Sequence, residues 1–361
     1  MVPLAPPKQL MTATGPIRLP VFVPDATRGV IRGVSPDQLR AVGVESLIVS
    51  TAHLVFQPGA SVVRALGGLQ RFTGWSGQIF SDSGGFQAFS LMGQGLCKAS
   101  NQGLVYRFSP TQKYRRLTPR TCIEAQFRMG ADVIYCLDYC TSPQGARPDQ
   151  ERSVELTVKW AKECRATFDS LVDRRDTPRP LLFAVVQGGP FEDLRSRCAE
   201  ELAALGFDGF GFGGYPVVDG GLVDEVLYLP ELVPGAFLHG LGIGTPEHIV
   251  TAWRAGFDVF DCVLPTRNGR RGVLYYGLPD GPIGPGRCSS VARLADERWV
   301  RERGPIDPEC DCLACTQFSA GYLSHLFRID DRLVHTLGSL HNLRFYSRLL
   351  ERLRSMEGRR S

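Results

Sequence analysis

The sequence predicts an α/β fold of the (β/α)8 TIM-type barrel class, with a smaller subdomain inserted after the last barrel strand. Three observations predict it. Eight short runs are apolar almost from end to end, which suits strands buried on both faces. Helical segments and longer loops separate these runs, as parallel neighbours require. The C-terminal ends of the runs, which converge on one face of such a barrel, carry Asp, Gln and paired Gly. At 361 residues and 43% hydrophobic composition the chain has material for the large core this class needs.

In chain order, strands are expected at residues 19–24, 46–51, 78–82, 133–138, 181–187, 209–214, 237–242 and 259–264. Helices are expected at 35–42, 118–129, 150–172, 191–205 and 245–255. Ser35-Pro36 and Thr245-Pro246 read as N-caps followed by proline at the first helical position, where no intrahelical bond needs its N–H. The stretch 267–308, rich in Gly, Pro and Arg, marks the exit from the barrel. The domain bounds follow: a barrel over 1–266, an insertion over 267–330, and a closing helix at 331–354 within a last unit of 331–361. A doubly wound open sheet is the competing architecture. No run approaches the roughly 18 apolar residues of a membrane span. The N-terminal MVPLAPPKQLMTATG lacks the charged start and apolar stretch of a leader, so a cytoplasmic protein without membrane contact is expected.

Net charge is only +4, yet of the 41 basic residues just five are lysine. Arginine's planar fork suits phosphates and carboxylates, which keeps a nucleic-acid partner open without establishing it. Eleven scattered cysteines point to reduced thiols rather than a disulfide framework. Three are grouped tightly in Cys310-Asp311-Cys312-Leu313-Ala314-Cys315, and His341 follows. Three thiolates and one imidazole make a closed tetrahedral set for Zn2+ with no open position for water, so one structural zinc per chain is expected. On spacing alone His325 and His335 compete with His341 for the fourth place.

Asp82 ends the third strand, Asp138 the fourth, Gln187 the fifth and Gly213-Gly214 the sixth, while Asp261 lies in the eighth. Two carboxylates facing a glycosidic carbon can divide the work: one attacks the sugar, the other handles the proton of the leaving or entering group. Attack by a carboxylate makes a covalent glycosyl-enzyme, and two successive inversions retain configuration. A carboxylate also accepts from the N1–H and amino group of a guanine, and Gln and glycine N–H groups can donate to its O6. Asp138, Gln187 and Gly214 therefore suit a purine edge, and Gly84-Gly85 allow close approach or positive φ. Singly, each has an ordinary use as a cap, an ion-pair partner or a turn; together at one barrel mouth they point to a site. Arg267, Arg270 and Arg271, just beyond Asp261, can hold phosphates flanking the reacting nucleotide, a solvated basic loop being the plain alternative.

Taken together, SDSGGFQ, VVQGG, FDCVLPTRNGRRG and CDCLAC with HNL resemble the tRNA-guanine transglycosylase family, in the family's order and over about residues 19–345. The resemblance implies a (β/α)8 barrel with a zinc-binding subdomain after the last strand. The implied activity is exchange of wobble-position guanine in certain tRNAs for a 7-deazaguanine base, either 7-aminomethyl-7-deazaguanine (preQ1) or queuine. It implies Asp261 as nucleophile on ribose C1′ and Asp82 as general acid/base. It places Asp138, Gln187 and Gly214 on the base edge and Phe86 and Leu241 on its faces, with Arg267, Arg270 and Arg271 gripping phosphates. It assigns zinc to Cys310, Cys312, Cys315 and His341, and it implies a homodimer. The target base must leave its stack to reach such a pocket.

Three departures from the family pattern bear on specificity. Ser50-Thr51-Ala52-His53-Leu54 stands for Asn-Thr-Tyr-His-Leu, Tyr215-Pro216-Val217-Val218-Asp219 for Leu-x-Val-Gly-Glu, and Tyr139 for the glutamate after the pocket aspartate. These positions are expected along the side of the pocket that takes the 7-substituent, so they touch the identity of the incoming base rather than the chemistry. Two other readings compete: a non-catalytic tRNA-binding partner subunit, against which the presence of both Asp82 and Asp261 counts, and a transglycosylase acting on DNA guanine.

Overall fold

The apolar runs do assemble into one parallel ring. A computed structural model describes residues 8–173, 179–284 and 286–356. The barrel strands are β1 Val21–Phe22, β2 Ser46–Ser50, β3 Gln78–Asp82, β4 Val133–Tyr135, β5 Leu181–Val186, β6 Gly209–Phe212, β7 Phe237–Gly240 and β8 Val259–Phe260. From β2 round to β8 each strand pairs in parallel with the next, β8 pairs with β1, and a parallel bridge between Asp25 and Ile48 closes the ring onto β2. The open-sheet alternative is thereby set aside.

Val21, Val23, Ile48, Phe80, Val133, Tyr135, Phe183, Val185 and Val259 fill the interior, so the barrel is a packed core rather than a pore. An antiparallel hairpin, Gln9–Thr12 with Gly15–Arg18, adds Leu10 and Ile17 to that same cluster. Most strands stop short of their expected ends. The ladder ends at Tyr135, Phe212, Gly240 and Phe260, and Asp138, Gly214 and Asp261 sit one to three residues beyond, on loops over the mouth. Asp82 remains within its strand, paired in register with Ser50.

The capped helices begin where their side chains dictate. Ser35 and Gln38 form a reciprocal capping box at Pro36–Ala41, Thr118 caps Pro119–Met129, and Thr245 accepts from His248 N–H at Pro246–Ala255. The helix expected at 150–172 starts earlier, spanning Arg147–Val172 with proline in its first turn. Between β3 and β4 the chain adds a three-stranded antiparallel sheet, Cys97–Ser100, Gly103–Tyr106 and Arg115–Leu117, which the strand count did not anticipate. No helix among the described residues is long and apolar enough to cross a membrane.

The region after β8 differs most from expectation. Residues 264–270 are a helix, Leu264–Arg270, which runs across the bound expected between 266 and 267. It packs on the long C-terminal helix Arg332–Ser355 through glycine: a Cβ on Gly269 would lie 2.5 Å from the Gly338 carbonyl oxygen, and the reverse holds. Asn342 ties the two, donating to the Pro265 and Val273 carbonyls at 2.9 Å each and accepting from Tyr275 N–H at 3.0 Å. Cys310, Cys312, Ala314 and Leu323 share one buried cluster with Ala26, Leu39 and Leu47 beside the barrel, so this region packs continuously on the barrel's outer layer.

Candidate active site

The mouth encloses a cavity of about 490 Å³ lined by Asp25, Asp82, Asp138, Gln187, Gly214 and Asp261, with Phe86, Leu241 and Arg267 at its walls. The parallel ring brings these together because every strand ends on the same side.

Asp82 accepts from Gln87 Nε2 at 3.2 Å, and its other oxygen is buried without a hydrogen-bond partner. Burial pushes its carboxyl up to about 7 despite the Gln87 bond, and the neighbouring carboxylates Asp25 and Asp261 push the same way. Asp82 is therefore poised to exchange a proton near neutrality. Asp261, just past β8, is held differently. Its Oδ1 accepts from Gly242 N–H at 3.0 Å and lies 3.1 Å from His239 Nε2.

Asp138 is buried, with Oδ1 accepting from the Ser83 hydroxyl at 2.9 Å and Oδ2 from Gln187 Nε2 at 2.8 Å. Burial raises its pKa above the usual 3.8, against the pull of those two bonds. Each carboxylate oxygen keeps a second lone pair for a ligand. The two glycines of SDSGGFQ serve the protein as much as any ligand. Gly84 sits at φ +90° with Ala52 2.5 Å from where a Cβ would be, and a Cβ on Gly85 would lie 2.3 Å from Asp138 Oδ1. Gly214 adopts φ +95°, open only to glycine at low strain. Phe86 is exposed, its ring 5.3 Å from that of Tyr215.

Of the departing segments, Tyr215, Pro216 and Val217 face the cavity. Tyr139 does not: it packs edge-on against Trp160, because its backbone is pinned by Thr157 and Ser153 of the neighbouring helix. His53 likewise stacks on Phe108, 4.2 Å between ring centres.

Arg267, Arg270 and Arg271 occupy one side of the short helix, and among the described residues none of them forms an ion pair. Burial lowers the Arg270 pKa, and the positive charges of Arg32, Arg267 and Arg271 act in the same direction. Arg32 thus joins a cationic group that the sequence analysis confined to three residues.

Away from the mouth, Cys310, Cys312, Cys315 and His341 bring their ligand atoms within 4.8 Å of one another. His341 Nε2 donates to the Tyr275 carbonyl at 2.7 Å, which turns Nδ1 toward the sulfurs, 3.2 Å from Cys315 Sγ and 3.6 Å from Cys312 Sγ. Soft donors in this number, with the imidazole oriented by a backbone carbonyl, fit a metal ion. His325 and His335 lie outside the cluster, which resolves the choice left open by spacing.

Sequence reasoning missed Asp25, Ser83, Tyr135 and His239. Asp25 bonds Thr27 N–H at 2.7 Å and the Thr27 hydroxyl, and burial raises its pKa. Ser83 was legible as the polar neighbour of Asp82, and His239 as the polar residue in an apolar strand; Tyr135 carried no signal.

A closed parallel barrel whose mouth sets paired carboxylates beside a buried Asp–Gln edge suits an enzyme that works at a glycosidic carbon. Comparison with known proteins narrows the class. The family model described as Queuine tRNA-ribosyltransferase matches residues 8–356, and the chain belongs to that family. It is 37% identical to the queuine tRNA-ribosyltransferase of Oleidesulfovibrio alaskensis over 341 residues, covering 93% of this chain and 85% of that one. The corresponding protein of Acinetobacter baumannii is 34% identical over 345 residues, covering 94% and 86%. That of Nitratidesulfovibrio vulgaris is 37% identical over 350 residues, covering 96% and 88%.

Proposed function

We propose that this chain is a tRNA-guanine transglycosylase that replaces wobble-position guanine with a 7-deazaguanine base through a covalent glycosyl-enzyme. The observation that carries the reading is the convergence of Asp82, Asp261 and the Asp138–Gln187 edge on one cavity. Asp261 attacks ribose C1′ while Asp82 gives its proton to the departing guanine; the C1′–N bond breaks as the C1′–O bond forms. Asp82, now a carboxylate, takes the N9 proton of the incoming base, whose nitrogen attacks C1′ and frees Asp261. Two inversions retain configuration. A carboxyl pushed up to about 7 suits both the donating and the accepting half.

In this reading Asp138 accepts from the N1–H and amino group, and Gln187 and Gly214 N–H face O6. Phe86 and Leu241 lie on the base's faces, and Arg267, Arg270 and Arg271 hold the flanking phosphates. Cys310, Cys312, Cys315 and His341 would hold zinc, which would tie residues 310–315 to the C-terminal helix. Exposed Leu313, Tyr322, Ile329 and Leu333 offer apolar surface for the homodimer the resemblance implies, and sedimentation tests it. The setting is cytoplasmic, where tRNA is modified.

The decisive experiment loads wobble-position labelled guanine into tRNA and follows its release by preQ1 or queuine, supplied in equal amounts. Release with the new base in the product supports the reading; a label untouched by either base refutes it. Asp261→Asn should abolish the covalent RNA adduct and leave RNA affinity largely intact. Which base dominates the product identifies the incoming substrate and tells whether Tyr215 and Pro216 have opened or narrowed the pocket.

A further inference from the structure

We propose that His239 is a positioning residue for the Asp261 carboxylate, with its ring oriented by the Tyr135 hydroxyl; the inference rests on Asp261 being the nucleophile. His239 on β7 and Tyr135 on β4 are 104 residues apart in sequence, and both are wholly buried inside the barrel. The Tyr135 hydroxyl lies 2.5 Å from His239 Nδ1, and His239 Nε2 lies 3.1 Å from Asp261 Oδ1. The rings of Phe80 and Tyr135, 6.1 and 5.8 Å from the imidazole, enclose it away from water.

The tautomer follows from these contacts. Were the proton on Nδ1, the Nε2 lone pair would face a carboxylate oxygen at 3.1 Å and repel it. A proton on Nε2 instead points toward Asp261, while Nδ1 meets the Tyr135 hydroxyl. In the free protein the N–H is off line with Oδ1, a close contact without full hydrogen-bond alignment. Such catalytic contacts commonly align only when substrate is bound. Gly242 N–H reaches the same oxygen at 3.0 Å. Once the His239 N–H aligns with substrate bound, two N–H groups on Oδ1 hold the carboxylate's rotation and leave Oδ2 free to attack C1′. In the glycosyl ester Oδ1 becomes the carbonyl oxygen and keeps both donors, which stabilise the negative charge when the carboxylate leaves. His239 transfers no proton in this scheme.

The test is single-turnover formation of the covalent RNA adduct at saturating tRNA, with melting temperature and RNA affinity measured alongside. His239→Leu should slow adduct formation about 100-fold, the scale of losing alignment at a reacting group. RNA affinity should stay within about threefold, since the lost contact is not to RNA. His239→Gln places an amide N–H near the position of Nε2–H and should recover most of the rate; a purely structural role would not distinguish Gln from Leu. Tyr135→Phe keeps the ring and removes only the orienting hydroxyl, and should cost about tenfold, less than losing the donor itself. Should His239→Leu fail to fold, His239→Gln and Tyr135→Phe carry the test. A wild-type rate in His239→Leu or Tyr135→Phe, or equal rates for His239→Gln and His239→Leu, overturns the proposal. An adduct that persists in Asp261→Asn instead overturns the nucleophile reading, and this inference with it.

Discussion

Asp82 is stored in the fold at a thermodynamic cost, and removing its charge should reveal that cost. Its carboxyl is displaced from the usual 3.8 to about 7, mainly by burial. At 1.36 kcal/mol per pH unit the displacement is worth about 4 kcal/mol. The sign is set by proton counts. Below the unfolded-state value both states hold the proton and nothing is lost. Between it and about 7 the folded protein keeps a proton that the unfolded chain has released, so stability falls as pH rises, and above 7 the whole contribution is gone. Asp82→Asn cannot ionise and escapes this loss. Its melting temperature should exceed that of the wild type, and the gap should widen between pH 5 and 8.5 by about 3 kcal/mol. For a chain of this length that is about 4 °C, taking about 2 cal/mol/K of unfolding entropy per residue. The assay is thermal unfolding of both proteins at the two pH values, zinc present, with only the difference interpreted. A gap unchanged by pH would refute the claim that burial holds Asp82 protonated. The same variant should release guanine at a small fraction of the wild-type rate, and wild-type release should decline as pH rises above about 7.

Gly85→Ala puts a methyl 2.3 Å from Asp138 Oδ1, so it should displace that carboxylate and raise KM for the incoming base at least tenfold with a smaller change in kcat, measured by steady-state base exchange. Cys312→Ser should lose the bound metal and unfold the C-terminal region at markedly lower temperature; full metal content with an unchanged melting curve would contradict the ligand assignment. Arg267→Ala and Arg271→Ala should each weaken tRNA binding and lower the slope of log affinity against log salt by about 0.7 to 0.9 per phosphate contact, while leaving base discrimination untouched.

The barrel was legible because its strands, buried on both faces, must be apolar almost throughout, and because Pro36 and Pro246 stand just after side chains that can cap. Tight local spacing made the three cysteines legible as a donor group, and the polar strand ends made Asp82, Asp138, Gln187 and Asp261 legible as a mouth. The helix Leu264–Arg270 was not. It contains Asn268 and Gly269, which local propensity disfavours, and it forms because Gly269 and Gly338 let two backbones touch while Asn342 satisfies the carbonyls between them. The strand ends were overrun for a related reason: an apolar residue reads alike whether it ends a ladder or begins the loop above it.

Thus the sequence by itself determined the class of fold, the chemistry available at the mouth and the nature of the metal donors, since these depend on residue type, period and short-range spacing. Only the tertiary structure decided which histidine meets the cysteines, that Asp25 adds a fourth carboxylate, that Tyr139 turns away from the cavity, and that Tyr135 meets His239 beside Asp261. These arrangements join residues apart in the chain: closure of the parallel ring brings Tyr135 and His239 beside Asp261, while the C-terminal helix carries His341 to the cysteines.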